Sequence, residues 1–147
     1  MKTIWNGEER QEIQQRVRHL RPDARRRWGR MTVDQMITHL SDGLRMSIGE
    51  LPCAPRPGLL RYTPIKQLII FWAPFPKGAP TAPEIIGRVP VTWSGEIDEL
   101  AMLIDRVARL PQGFAWPEHP AFGALTRRAW GVLIYRHLDH HLKQFGS

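Results

Sequence analysis

Thr126-Arg-Arg-Ala-Trp130-Gly-Val-Leu-Ile134-Tyr-Arg-His137-Leu-Asp-His140-His141-Leu-Lys-Gln144-Phe-Gly146 is a proline-free amphipathic stretch near the C-terminus, opened by a capping threonine and closed by a glycine. Such a stretch reads as one helix from Thr126 to Phe145, with Gly146 as its stop signal. Taking ~100° per residue with Trp130 at zero, His137 falls near ~340° and His141 near ~20°, beside Ile134 near ~40° and Phe145 near ~60°. Both histidines therefore lie on the apolar stripe that must face a core. His140 falls near ~280°, off that stripe.

Working outward, the prolines divide the chain. Nine of the 13 lie between Pro52 and Pro90, and none interrupts residues 32–48, 94–110 or 126–145. The chain is thus expected to be helical towards both ends and irregular in the middle. A first helix starts at the N-cap Asn6, with Glu9 three residues on, carries Ile13, Val17 and Leu20 on one stripe, and stops at Arg21-Pro22. A second opens with the capping box Thr32-Val-Asp-Gln35, carries Val33, Met36, Ile37, Leu40, Leu44 and Ile48, and ends near Gly49. A third starts around Ser94 and shows Ile97, Leu100, Ala101, Ile104 and Val107 before Pro111. The segment 50–92 is rich in proline and glycine yet apolar, with one short helix expected from Thr63-Pro64 to Trp72, so it reads as an ordered crossover rather than a linker. Four amphipathic helices joined by one long connection predict an all-α four-helix bundle, a single domain over 1–147.

Composition narrows the classes. The chain has 147 residues, 42% hydrophobic, with 21 Lys+Arg against 14 Asp+Glu and one cysteine. No internal disulfide or cysteine-built zinc site is available, and lone Cys53 fits a reducing cytoplasm. The longest apolar run, 68–75, falls short of the ~20 residues a membrane span needs, and the N-terminus turns polar before any signal-peptide core. The net charge of +7 is uneven: Arg16, Arg18, Arg21, Arg25, Arg26, Arg27 and Arg30 crowd into fifteen residues. Trp28 is the only aromatic among them, so a solvated face is favoured over a specific nucleic-acid site, with phosphate contact left open.

Two imidazoles at i and i+4 on a buried face can reach one ion at ~2.0 to 2.1 Å. Burying both without a partner costs roughly several kcal/mol, which favours a shared ligand, although helical histidines are often merely satisfied core residues. A third ligand must come from a facing helix. His39, beside Met36, Gly43 and Met46 and ~100° from the centre of its apolar stripe, is expected at the pocket rim, with Asp42 pointing elsewhere. His19 and His119 read as surface and loop residues.

The stretches His119-Pro-Ala-Phe-Gly-Ala-Leu-Thr126, Trp130-Gly131, and Tyr135-Arg-His-Leu-Asp-His-His141-Leu-Lys-Gln144, with Pro74-Phe-Pro-Lys-Gly-Ala-Pro-Thr-Ala-Pro-Glu84 and Trp28-Gly-Arg-Met-Thr-Val-Asp-Gln-Met-Ile-Thr-His39, resemble a branch of the DinB/YfiT-like superfamily. The resemblance covers most of the chain. It implies an up-down-down-up four-helix bundle whose metal, zinc or nickel, is held by His39, His137 and His141. It also implies a homodimer acting on a small molecule, as in family members that are thiol-dependent transferases or metal-dependent hydrolases and isomerases. His140 and the long crossover depart from the characterised transferases, so no substrate carries over. Three neutral imidazoles would leave one position of a tetrahedral ion open, as in catalytic sites. Asp139 is expected to face away. Glu84 is the remaining candidate to fold over the mouth, and it or His140 could close the site into a structural one.

Overall fold

The computed structural model describes residues 1–75, 77 and 82–147. Five α-helices form: α1 (Gly7–His19), α2 (Val33–Ser47), α3 (Ile65–Phe71), α4 (Trp93–Ala108) and α5 (Arg127–Gln144), with 3-10 turns at Leu59–Arg61 and Pro83–Ile85. Among the described residues there is no strand, and the fold class is all-helical.

Each long helix begins where a side chain satisfies its first free N–H groups. Asn6 accepts from the Glu9 amide, Thr92 from Gly95 and Thr126 from Ala129. At α2 the capping box is complete: Thr32 accepts from the Gln35 amide, and the Gln35 side chain accepts from the Thr32 amide. Such caps contribute about 1 kcal/mol each. Gly146, at φ 84°, ends α5.

Helix α1 packs on α4 and α5, α2 packs on α4 and α5, and α3 lies against α5. Their apolar faces meet at Ile13 and Val17 of α1, Met36, Ile37 and Leu40 of α2, Leu100, Ile104 and Val107 of α4, and Trp130, Leu138 and Leu142 of α5, all buried. Each such side chain contributes about 1.5–3 kcal/mol through the apolar surface it removes from water. The segment before α1 is fastened to α5: the Ile4 amide donates to the Gly131 carbonyl and the Trp5 indole to that of Arg127. A Cβ at Gly131 would sit 2.0 Å from the Trp5 indole nitrogen, so only glycine admits this seat.

The crossover helix expected from Thr63-Pro64 forms over Ile65–Phe71 and makes a fifth helix beside the four long ones. Of the middle motif from Pro74 to Glu84, residues Pro76, Gly78, Ala79, Pro80 and Thr81 lie outside the described residues. The chain after them returns as a strap along α2. Thr38 donates its hydroxyl to the Arg88 carbonyl at 2.7 Å, and Gly87 approaches the Gln35 backbone so closely that a Cβ would meet its carbonyl oxygen at 2.5 Å. The Arg88 guanidinium grips the buried Glu96 carboxylate of α4 through two hydrogen bonds of 2.8 and 2.7 Å. This strap leaves α2 with almost no solvent face.

Candidate metal centre

Helix α2 carries His39 towards α5, where His137 and His141 stand one turn apart. The three ring centroids form a triangle with every side 4.9 Å. One ring nitrogen from each lies within 4.8 Å of the others, and the His39 and His137 Nε2 atoms are 3.0 Å apart. Imidazoles on a tetrahedral ion at ~2.0–2.1 Å place their nitrogens about 3.3 Å apart, so this cluster can hold a metal ion with small adjustments.

The orientation of two rings is set from behind. The Nδ1–H of His39 donates to the Ile85 carbonyl at 2.5 Å, leaving the Nε2 lone pair aimed at the cluster. The Nδ1–H of His141 donates to the Gln144 side-chain oxygen at 2.8 Å, and the amide nitrogen of Gln144 donates to the Trp28 carbonyl at 2.7 Å. Outer partners of this kind fix the tautomer that a metal needs.

Burial also keeps the three rings uncharged. It lowers the pKa of His39, holds that of His137 well below the usual histidine range, and takes His141 down to about 3, with neighbouring imidazoles adding to the effect at His137 and His141. Neutral imidazole is the ligand form, so no proton has to be displaced near neutral pH. By residue surface His39 is buried, while His137 and His141, residues of intermediate exposure, have rings enclosed deeply enough to stay neutral.

The burial of His39 corrects one expectation. Its distance from the apolar stripe of α2 placed it at a rim, but the strap 84–88 covers that side and supplies the carbonyl it bonds. His119 is the loop residue expected, and it is half-buried. Its Nδ1 accepts from the amides of Ala121 and Phe122, its ring packs on Phe122 and Trp130, and burial lowers its pKa to about 4. His19 is exposed.

The remaining candidates lie outside the cluster. His140 packs edge-on against His141, with centroids 5.2 Å apart, and between Trp28 and Phe75. Asp139 bonds Arg16 and Lys143, and the exposed Glu84 carboxylate accepts from the Ala54 amide. Asp42 points away from the triad to Arg45, yet it is buried. Arg18, Arg21, Arg25, Arg26, Arg27 and Arg30 are exposed, while Arg16 is half-buried against Asp139 and the Ser147 carbonyl. Sequence reasoning missed Gln144 and Ile85. Gln144 was legible as the residue three beyond His141, one turn along the same helix. A backbone carbonyl delivered by a distant strap leaves no such signal.

No curated protein and no solved structure matches the chain. A family profile does match, over residues 6–147, which include all three histidines, and by it the chain belongs to the family described as protein of unknown function (DUF1569).

Proposed function

We propose that the chain is a DinB/YfiT-like metal-binding protein, a single domain over 1–147, in which His39, His137 and His141 hold zinc or nickel for hydrolase or thiol-transfer chemistry on a small molecule. The packing of α1 and α2 each on both α4 and α5 supports an up-down-down-up four-helix bundle, with α3 carried on the crossover. The contact that carries the metal assignment is the 3.0 Å approach of the His39 and His137 Nε2 atoms. With the His39 proton committed to Ile85, its Nε2 lone pair faces His137, where a proton on His137 Nε2 or a shared cation satisfies it, and the convergence of a third imidazole nitrogen favours the cation.

A divalent ion held by these three imidazoles would supply Lewis acidity to a bound small molecule. The chain's own residues do the rest: Ile85 and Gln144 hold two rings in register. A second reading, a non-catalytic binding or sensing module, draws support from Asp139 and Glu84, whose carboxylates are bonded elsewhere and offer no general base. The exposed apolar residues Leu59, Tyr62, Leu68 and Trp72 support a homodimer, and lone Cys53 a reducing cytoplasm.

Cobalt substitution tests whether one coordination position is open. A small thiol or hydroxamate is expected to perturb the visible spectrum of the cobalt-loaded protein. A spectrum indifferent to millimolar thiol, with four protein ligands seen by X-ray absorption, would favour the closed, non-catalytic site.

A further inference from the structure

The strap that brings the Ile85 carbonyl to His39 has little apolar hold beyond that residue. Ile85 is buried, but Ile86, Val89 and Val91 are 52%, 85% and 96% exposed. Polar anchors must therefore fix the strap past Ile85, and they converge on Arg88. Its carbonyl accepts from the Thr38 hydroxyl of α2 at 2.7 Å, and its guanidinium donates twice to the Glu96 carboxylate of α4, at 2.8 and 2.7 Å.

Arg88 also belongs to a ladder of five charged side chains. Its Nε lies 3.6 Å from the Asp42 carboxylate, Asp42 accepts from Arg45 at 2.8 Å, and Arg45 donates to Glu99. Glu96 and Glu99 stand one turn apart on α4, and Asp42 stands one turn beyond His39 on α2. Arg88 is the member of the ladder that lies on the strap. Glu96 is buried, and among the described residues Arg88 is the partner of its carboxylate.

A buried carboxylate is a poor way to stabilise a fold, because desolvation offsets most of the attraction and apolar side chains of similar volume do as well. What the pair supplies is position. The guanidinium fork meets a carboxylate in one plane, through two bonds at once, so it sets where the strap lies along α4 more narrowly than an apolar contact would. Three residues before Arg88, the Ile85 carbonyl meets Nδ1 of His39 at 2.5 Å.

We propose that Glu96 is a positioning residue of the histidine cluster: by clamping Arg88 it seats the strap so that the Ile85 carbonyl holds the His39 proton on Nδ1 and leaves Nε2 for an ion. The inference rests on the metal reading of the cluster for its purpose, though not for its geometry. It ties metal affinity to α4, a helix that supplies none of the three histidines.

The test uses the full chain, zinc as the probe, and nitrogen NMR of the histidine rings in metal-free protein, with a His39→Gln spectrum assigning the His39 ring. Glu96→Gln keeps the shape and removes the charge. It is expected to lower zinc affinity about tenfold and to move part of the His39 proton from Nδ1 to Nε2. Arg88→Met combined with Glu96→Leu replaces the pair by apolar side chains. This double variant should recover the resistance to denaturant that Glu96→Gln loses, yet leave zinc affinity and the His39 tautomer as disturbed as in the single variant. Zinc affinity and tautomer both unchanged in Glu96→Gln would overturn the proposal. So would their recovery together with stability in the double variant, since the pair would then serve the fold alone. Failure of the unmodified chain to bind zinc would instead defeat the metal assignment, and the tautomer in metal-free protein would still decide the role of Glu96.

Discussion

The carbonyl oxygen of Ile85 lies 2.5 Å from Nδ1 of His39, across forty-six residues of sequence. A carbonyl only accepts, so His39 carries its proton on Nδ1 and presents Nε2 to His137 and His141. The strap after the proline-rich crossover is therefore part of the candidate metal site, although it offers no ligand of its own.

If the strap orients His39, loosening it must weaken the ion without touching a ligand. Gly87 has φ 106°, and an added Cβ would meet the Gln35 carbonyl at 2.5 Å. Gly87→Ala is expected to lift the strap and lower metal affinity about 10–100-fold. Chelator competition measures this. Unchanged affinity would show that Ile85 does not position His39.

Gln144 is buried between two partners, accepting from His141 and donating to Trp28. Gln144→Leu removes both bonds at similar volume. We expect metal affinity to fall roughly tenfold or more, with a stability loss of about 1–3 kcal/mol from the unpaired Trp28 carbonyl. Chemical denaturation of the metal-free protein separates the two effects.

His119 gives the fold an acid sensitivity of its own. Burial lowers its pKa from 6.5 to about 4, and its Nδ1 accepts two backbone amides that protonation would expel. The unfolded chain thus binds the proton more readily. Stability from this residue is complete above pH 6.5 and is lost as pH falls towards 4, by on the order of 3 kcal/mol. In His119→Asn, whose side-chain oxygen can accept from the same amides, denaturation curves at pH 7 and pH 5 should differ less than in the unmodified chain. An equal pH dependence would contradict the assignment.

The exposed arginines from Arg18 to Arg30 should bind DNA weakly and without sequence preference. Counterion release then makes that binding collapse between low salt and ~0.2 M salt. Sequence-selective binding that persists at ~0.2 M would establish a nucleic-acid site instead. Electrophoretic mobility shifts over a salt series decide.

Much of the fold is legible because its signals are local. Asn6, Thr32 and Thr126 cap their helices where a polar side chain precedes an apolar period, and the observed bounds fall within a residue or two of those signals. The pairing of His137 with His141 is legible for the same reason, since one helical turn separates them. His39 is legible as a partner, but its burial is not. A helical stripe reports which side of α2 is most apolar, and it carries no record of a strap that arrives from fifty residues on to cover another side. The paired state of Arg16 escapes in the same way, because its partner Asp139 lies on α5. Contacts between distant segments, rather than local propensity, account for each of these differences.

The most direct test of the three-histidine site is elemental analysis of the purified, untagged protein and its single-histidine variants. About one divalent first-row metal per chain is expected in the unmodified protein and in His140→Ala, and none in His39→Ala, His137→Ala or His141→Ala. Stoichiometric metal in the His137→Ala protein, or its loss in His140→Ala alone, would contradict the assignment.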